Sequence, residues 1–224
     1  MGAGGVGPAL LDLEHAPVAV AFHEQEPAVH SRSRPAPEPA GCCFWQQAEQ
    51  RRLHTTAVDH AHCSVGSYTH GLISLAQAAA GEDTAALVGS GWVTDADLAG
   101  APAVATTPAA NTYEPLEEAD DPDVVLIRLT AGSLMTLHGA CPELWVVTKP
   151  QCQIVPLALE GTIAVSPGCA VSRVRTGLPS DELTCALPAR DLDEIVTRLT
   201  RSRAADAAVS AYADGDLHDN FTLA

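Results

Sequence analysis

The run DVVLIRLTAGSLMTLHGA, residues 123–140, decides the fold class. Asp123 to Leu129 is the clearest strand in the chain, an apolar string rich in β-branched residues. From Ala131 to Ala140 the composition turns helical, so a strand feeds directly into a helix. Downstream, Trp145 to Thr148 and Thr162 to Ser166 read as strands, the second stopped by Pro167-Gly168. Gln153 to Ala158 is apolar, but Pro156 makes helix and edge strand equally awkward, and both readings stay open. Leu183 to Leu187 reads as a strand. Asp191 to Leu199 reads as an amphipathic helix begun by acidic residues.

Upstream, Pro17 to Phe22 reads as a short strand and Cys42 to Gln50 as a helix with Cys43, Phe44 and Ala48 facing inward. Residues 64–81 have the Ala/Leu composition of a helix ending near Gly81. Two shorter helices follow around Thr84–Ser90 and Thr94–Ala99, the second capped by Thr94. Residues 31–41 hold three prolines and read as an exposed loop, and 100–112 read as a Pro/Ala/Thr linker. Strands and helices alternate throughout. The expected class is α/β or α+β, a mixed sheet with flanking helices. The expected organisation is a loose N-terminus (1–10), one globular unit (11–203) with two similar halves (11–99 and 113–203), and a mobile acidic tail (204–224).

Composition narrows the function. The chain carries 12 Lys and Arg against 28 Asp and Glu, a formal net charge of −16. A nucleic-acid duplex or an anionic membrane surface would repel it, so neither is expected as a partner. No run of 18 apolar residues is present, and the N-terminus lacks a basic, apolar leader pattern, so a cytoplasmic protein is expected. GAGGVG at 2–7 has no preceding strand and no following Lys-Ser/Thr, which argues against a phosphate loop. Dinucleotide, nucleophile-elbow and zincin motifs are absent as well.

Seven cysteines then need a reason, because stable disulfides are rare in a reducing compartment. Cys63 stands at a helix start, where backbone N–H groups favour a thiolate. Cys152 and Cys169 stand in turns. Cys141 and Cys185 read as structural. His54, His60, His62 and His70 surround Cys63; they are either a metal-binding group or a solvated, inert loop, and no tight C-x₂-C pair supports zinc.

CCFWQQA, DHAHCSVGSYTHGL, PDVVLIRL, KPQCQIV and VSPGCAVSRVRTG occur in this order along the chain. Together they resemble domain-of-unknown-function family 169, the ArCR group, over roughly residues 11–200. The resemblance marks four cysteine positions: Cys42 or Cys43, then Cys63, Cys152 and Cys169. For the first, Cys43 is preferred from the family's spacing to the following alanine, here Ala48. Four such thiolates match the ligand set of a [4Fe–4S] cluster; a zinc site and metal-free thiols are the competing readings.

The expected function is a cysteine-ligated iron–sulfur protein, a lyase or redox enzyme acting on a small anionic molecule. The alternative is a non-catalytic zinc-binding or thiol redox-sensing accessory protein. Arg173 and Arg175, close after Cys169, would offset the negative cluster or bind the anion, unless they pair with surface carboxylates. Tyr68 and His70 would supply protons, unless they merely pack.

Overall fold

The computed structural model describes residues 8–27 and 40–216 of the chain. One sheet of seven strands organises it: β1 (Val18–His23), β2 (Leu53–Thr55), β3 (Ala110–Pro115), β4 (Val124–Leu129), β5 (Trp145–Val146), β6 (Ala164–Ser166) and β7 (Leu183–Pro188). The order is β2-β3-β1-β4-β7-β6-β5. All neighbours are antiparallel except β5 and β6, which are parallel. The protein is thus mixed α/β, with ten α-helices among the described residues: α1 (Pro8–Leu11), α2 (Cys42–Gln47), α3 (Ser64–Thr69), α4 (Leu75–Ala79), α5 (Glu82–Gly89), α6 (Asp95–Gly100), α7 (Ala131–Ala140), α8 (Ile154–Leu159), α9 (Ala170–Thr176) and α10 (Leu192–Asp216).

β4 is central in the sheet and apolar on both faces. Val125, Ile127 and Leu129 point to one side, where Leu137 of α7, Cys141 at its C-cap, and Leu192, Ile195 and Leu199 of α10 cover them. Val124 and Leu126 point to the other, against Phe44 and Trp45 of α2 and Ile154, Val155 and Ala158 of α8. Alternation along a strand delivers successive side chains to opposite faces, so two cores form around one sheet.

Several sequence expectations change. Residues 110–115 are not part of a linker: they form β3, fully buried between β2 and β1. No strand signal marks ANTYEP, because its polar residues are satisfied by partners far along the chain. Thr112 Oγ1 lies 2.7 Å from His54 Nδ1 and 2.6 Å from His23 Nε2, and Arg52 pairs with Glu114. With β3 inside it, the sheet is continuous and does not divide at 100–112. The three-residue β2 is likewise too short for a periodicity to register. Pro156 falls in the first turn of α8, where its missing N–H leaves no intrahelical bond unmade. α10 runs on to Asp216, so residues 204–216 are helical; the rest of the expected tail, the loop at 31–39 and residues 1–7 lie outside the described residues.

The helix expected at 64–81 is two helices, α3 and α4, broken at Gly71. Gly71 has φ +75°, and a Cβ there would stand 2.6 Å from the Thr106 carbonyl oxygen. Beside it, the Val104 N–H donates to the Thr69 carbonyl at 2.9 Å. The chain pinches into a neck here, and α4, α5 and α6 form a helical cap beyond it. Ser74 and Thr94 cap α4 and α6 with reciprocal capping boxes. Two fastenings hold the cap to the body. Asp83 accepts from the Ser64 N–H at 2.8 Å and from its hydroxyl at 2.5 Å. Lys149 donates to the Trp92 carbonyl, with Nζ 5.5 Å from the centre of the indole ring.

Candidate functional site

A pocket opens between α2, α3, α9, the cap and the turn before α8. Four cysteines line it: Cys42, Cys63, Cys152 and Cys169. Its empty space, mouth included, is about 510 Å³. Leu87 and Trp92 of the cap and Val65 and Val171 of the body make much of the wall apolar.

Each sulfur is placed by a different local device. Cys42 is the first residue of α2. Cys63 is the N-cap of α3, and the N–H groups of Gly41 and Gly66 donate to its sulfur. A Cβ on Gly66 would lie 2.8 Å from Cys63 Sγ, so the close approach needs glycine. Cys152 sits in the 3₁₀ turn Gln151–Gln153. Cys169 is the N-cap of α9: Ser172 N–H donates to its Sγ at 3.3 Å, and its own N–H donates to Ser172 Oγ at 3.0 Å. Ser172 Oγ also lies 2.8 Å from Gln151 Oε1, which ties the Cys169 segment to the residue before Cys152.

Burial pushes the Cys42 thiol well up, and the neighbouring Cys63, Cys152, Cys43 and Cys169 add to the rise. Cys152 is raised by burial and then by Cys63, while the Thr69 hydroxyl acts against it. Cys63 is raised by burial, partly offset by its two N–H donors and by the Arg175 guanidinium. Low-dielectric surroundings and like charges both disfavour a bare thiolate. A cation at the centre of the group reverses that balance.

Of the adjacent pair, the pocket is lined by Cys42. The Cys43 thiol, preferred from the sequence, donates instead to the Arg175 carbonyl at 3.6 Å and packs between α2 and α9. Neighbours on a helix point about 100° apart, so one of the two had to turn away.

Arg175 lines the pocket and donates to the His62 carbonyl at 2.8 Å. Arg173 does not line it. Its guanidinium donates to the carbonyls of Pro167, Leu178, Pro179 and Glu182, and so braces the loop on either side of α9. Tyr68 is half-buried with its hydroxyl 3.5 Å from the Ala101 carbonyl, outside the pocket lining. His70 lines the pocket. The expectation of a solvated histidine loop holds only for His62, which is exposed; His54, His60 and His70 are buried. Burial lowers His60 to about 3 and His70 to about 4, so both rings are neutral.

Among the described residues, no three His, Cys, Asp or Glu side chains converge on a point where one metal ion would sit. The thiols stand around the pocket. Gln151, Ser172, Asp83 and Trp92 also line it, and none of them is a site residue expected from the sequence. For Ser172 a signal existed, since Cys169-x-x-Ser172 has the spacing of a capping box with sulfur in the hydroxyl's place.

Residues 9–198 match the family described as uncharacterised ArCR, domain-of-unknown-function family 169. No curated protein and no solved structure matches the chain.

Proposed function

The chain belongs to the ArCR family, and from the one pocket that four of its cysteines share we propose an iron–sulfur protein. Its [4Fe–4S] cluster is held by thiolates drawn from Cys42, Cys63, Cys152 and Cys169. The donor set fits: four thiols from four separate segments line one pocket, and a cation there would offset the cost of burying their thiolate forms. Zinc is the second reading, because it takes the same donors. Sulfurs spread around a pocket suit a polynuclear cluster better than one zinc ion, which needs each sulfur about 2.3 Å from a single point.

When only three thiolates bind, an iron with an open position supplies Lewis acidity, which suits a lyase; four suit electron transfer. This chain's own residues do the rest. Arg175 offsets the negative charge of the thiolates and draws a small anionic molecule, such as a carboxylate, toward the mouth. Leu87 and Trp92 exclude water, which strengthens that attraction. Arg173 acts as a brace rather than in substrate contact, and Tyr68 is a helix-packing residue. The compartment is a reducing one, the cytoplasm, consistent with all seven cysteines being free thiols. Nucleic acid and membrane surfaces are not partners on this reading, because the charge of −16 repels both.

The test is anaerobic reconstitution with iron and sulfide, followed by quantification of iron, sulfide and zinc. Iron and sulfide should each approach about four per chain, with broad visible absorbance. Zinc retained against iron would replace the cluster by the second reading. Protein that takes up neither metal would remove both.

A further inference from the structure

The pocket wall holds a fifth donor. His70 is 1% exposed, and its Nδ1 lies 2.8 Å from the Gly66 carbonyl oxygen. A carbonyl oxygen only accepts, so Nδ1 carries the ring's proton. With the proton on Nδ1, Nε2 is left to offer its lone pair. That atom is buried and finds no hydrogen-bond partner among the described residues. A buried acceptor without a partner is costly, and a ligand that engages it would remove that cost.

The bracing is specific. Gly66 donates its N–H to Cys63 Sγ and accepts from His70 Nδ1–H through its carbonyl, so one peptide segment orients both side chains. α3 therefore offers a sulfur from its N-cap and an imidazole from its C-cap, both on the wall of one pocket. Phe22, Trp45, His60 and Tyr113 pack around the ring at centroid distances of 6.4, 6.0, 6.0 and 6.3 Å, which fixes its orientation. A neutral histidine whose Nδ1–H is held by a backbone carbonyl and whose Nε2 is bare is the arrangement that metal-bound imidazoles adopt.

We infer that His70 is a metal ligand through Nε2, binding alongside three of the four pocket thiolates. This rests on the metal-centre reading above. A four-iron cluster has four outward positions, and five donors line the pocket. One cysteine therefore remains a thiol, and the unique iron carries nitrogen.

The test uses the full chain labelled with ¹⁵N-histidine, reconstituted with iron and sulfide, reduced, and examined by pulsed EPR. The wild type should show one strongly coupled histidine nitrogen. His70→Leu should lose that coupling. His70→Cys should also lose it while keeping iron, and should move the reduction potential downward as thiolate replaces imidazole. Among the single alanine variants at 42, 63, 152 and 169, one should keep nearly full iron. A wild-type cluster with no coupled nitrogen overturns the assignment, and needs no variant to fold. A coupling that survives in His70→Cys overturns it in favour of another histidine. No iron uptake by the wild type defeats the cluster reading itself, and this inference with it, so the two failures are told apart.

Discussion

The two faces of the sheet treat cysteine differently. Against α7 and α10, Cys141 and Cys185 are fully buried in an apolar cluster with Leu137, Ile195 and Leu199. Against α2, α3 and α9, Cys42, Cys63, Cys152 and Cys169 surround a pocket. Burial pushes the thiols of Cys141 and Cys185 up, as it does those of Cys42, Cys63 and Cys152. A raised thiol therefore does not mark a site. What separates the faces is convergence from four chain segments onto one concave wall, with N–H donors aimed at two of the sulfurs and an unpartnered imidazole beside them.

Acid should break this contrast most strongly. His60 and His70 pack against each other on the pocket side, and His70 against Tyr113, whereas α7 carries only the exposed His138. Their folded values of about 3 and about 4 lie below the ordinary value of 6.5. Between those limits the unfolded chain binds protons that the folded one refuses. The metal-free protein should therefore hold its full stability above pH 6.5 and lose it progressively down to about pH 4 and then 3, by several kcal/mol in total. Urea midpoints at pH 7 and 4.5 measure the loss. Hydrogen exchange should locate it in α2 and α3 before α7, and uniform loosening of both faces would count against the contrast.

Cysteine substitutions come next. Cys152→Ala and Cys169→Ala should each lose most of the bound iron and sulfide, unless that residue is the spare thiol. Cys141→Ala and Cys185→Ala should keep iron and lose about 1 kcal/mol of stability through the small cavity left behind. Iron loss in Cys185→Ala would erase the distinction between the faces. Within the doublet, Cys43→Ala should keep iron whatever Cys42→Ala does.

Two glycines sharpen the comparison further. Gly66→Ala drives a methyl group into Cys63 Sγ and should reduce iron retention several-fold while the fold persists. Gly132→Ala in α7 meets only the Thr130 hydroxyl at 3.7 Å, and should stabilise the protein by up to about 1 kcal/mol without touching iron. Chelator release rates and thermal melts separate the pair.

The sequence disclosed strands β1, β4, β6 and β7 and helices α7 and α10 because each carries its own apolar pattern. It hid β2 and β3, whose polar side chains are satisfied only by residues brought in from elsewhere, such as Glu114 by Arg52. Cys63, Cys152 and Cys169 stood out by their turn and helix-start contexts. The choice between Cys42 and Cys43 depends on how α2 is rotated against α9, a tertiary fact that no spacing encodes. Arg173 looked like a substrate contact because its charge is scarce in this chain. The four carbonyls that occupy it belong to a loop whose path a linear reading cannot trace.

The neck at Gly71 has an evolutionary consequence. β2 and β3 are antiparallel partners, so everything between them is, topologically, one hairpin connection that has grown to carry helices. The entropy of closing such a connection rises only with the logarithm of its length, by about 0.6 kcal/mol per doubling. Residues 72–103 can therefore drift, lengthen or be exchanged with little penalty to the register of the sheet. All four pocket cysteines and His70 lie outside that interval, while Asp83, Leu87 and Trp92 lie within it. Heritable variation in the cap would reshape what fits beside the donors and leave the donors themselves untouched, so one inherited centre could serve a succession of different guests.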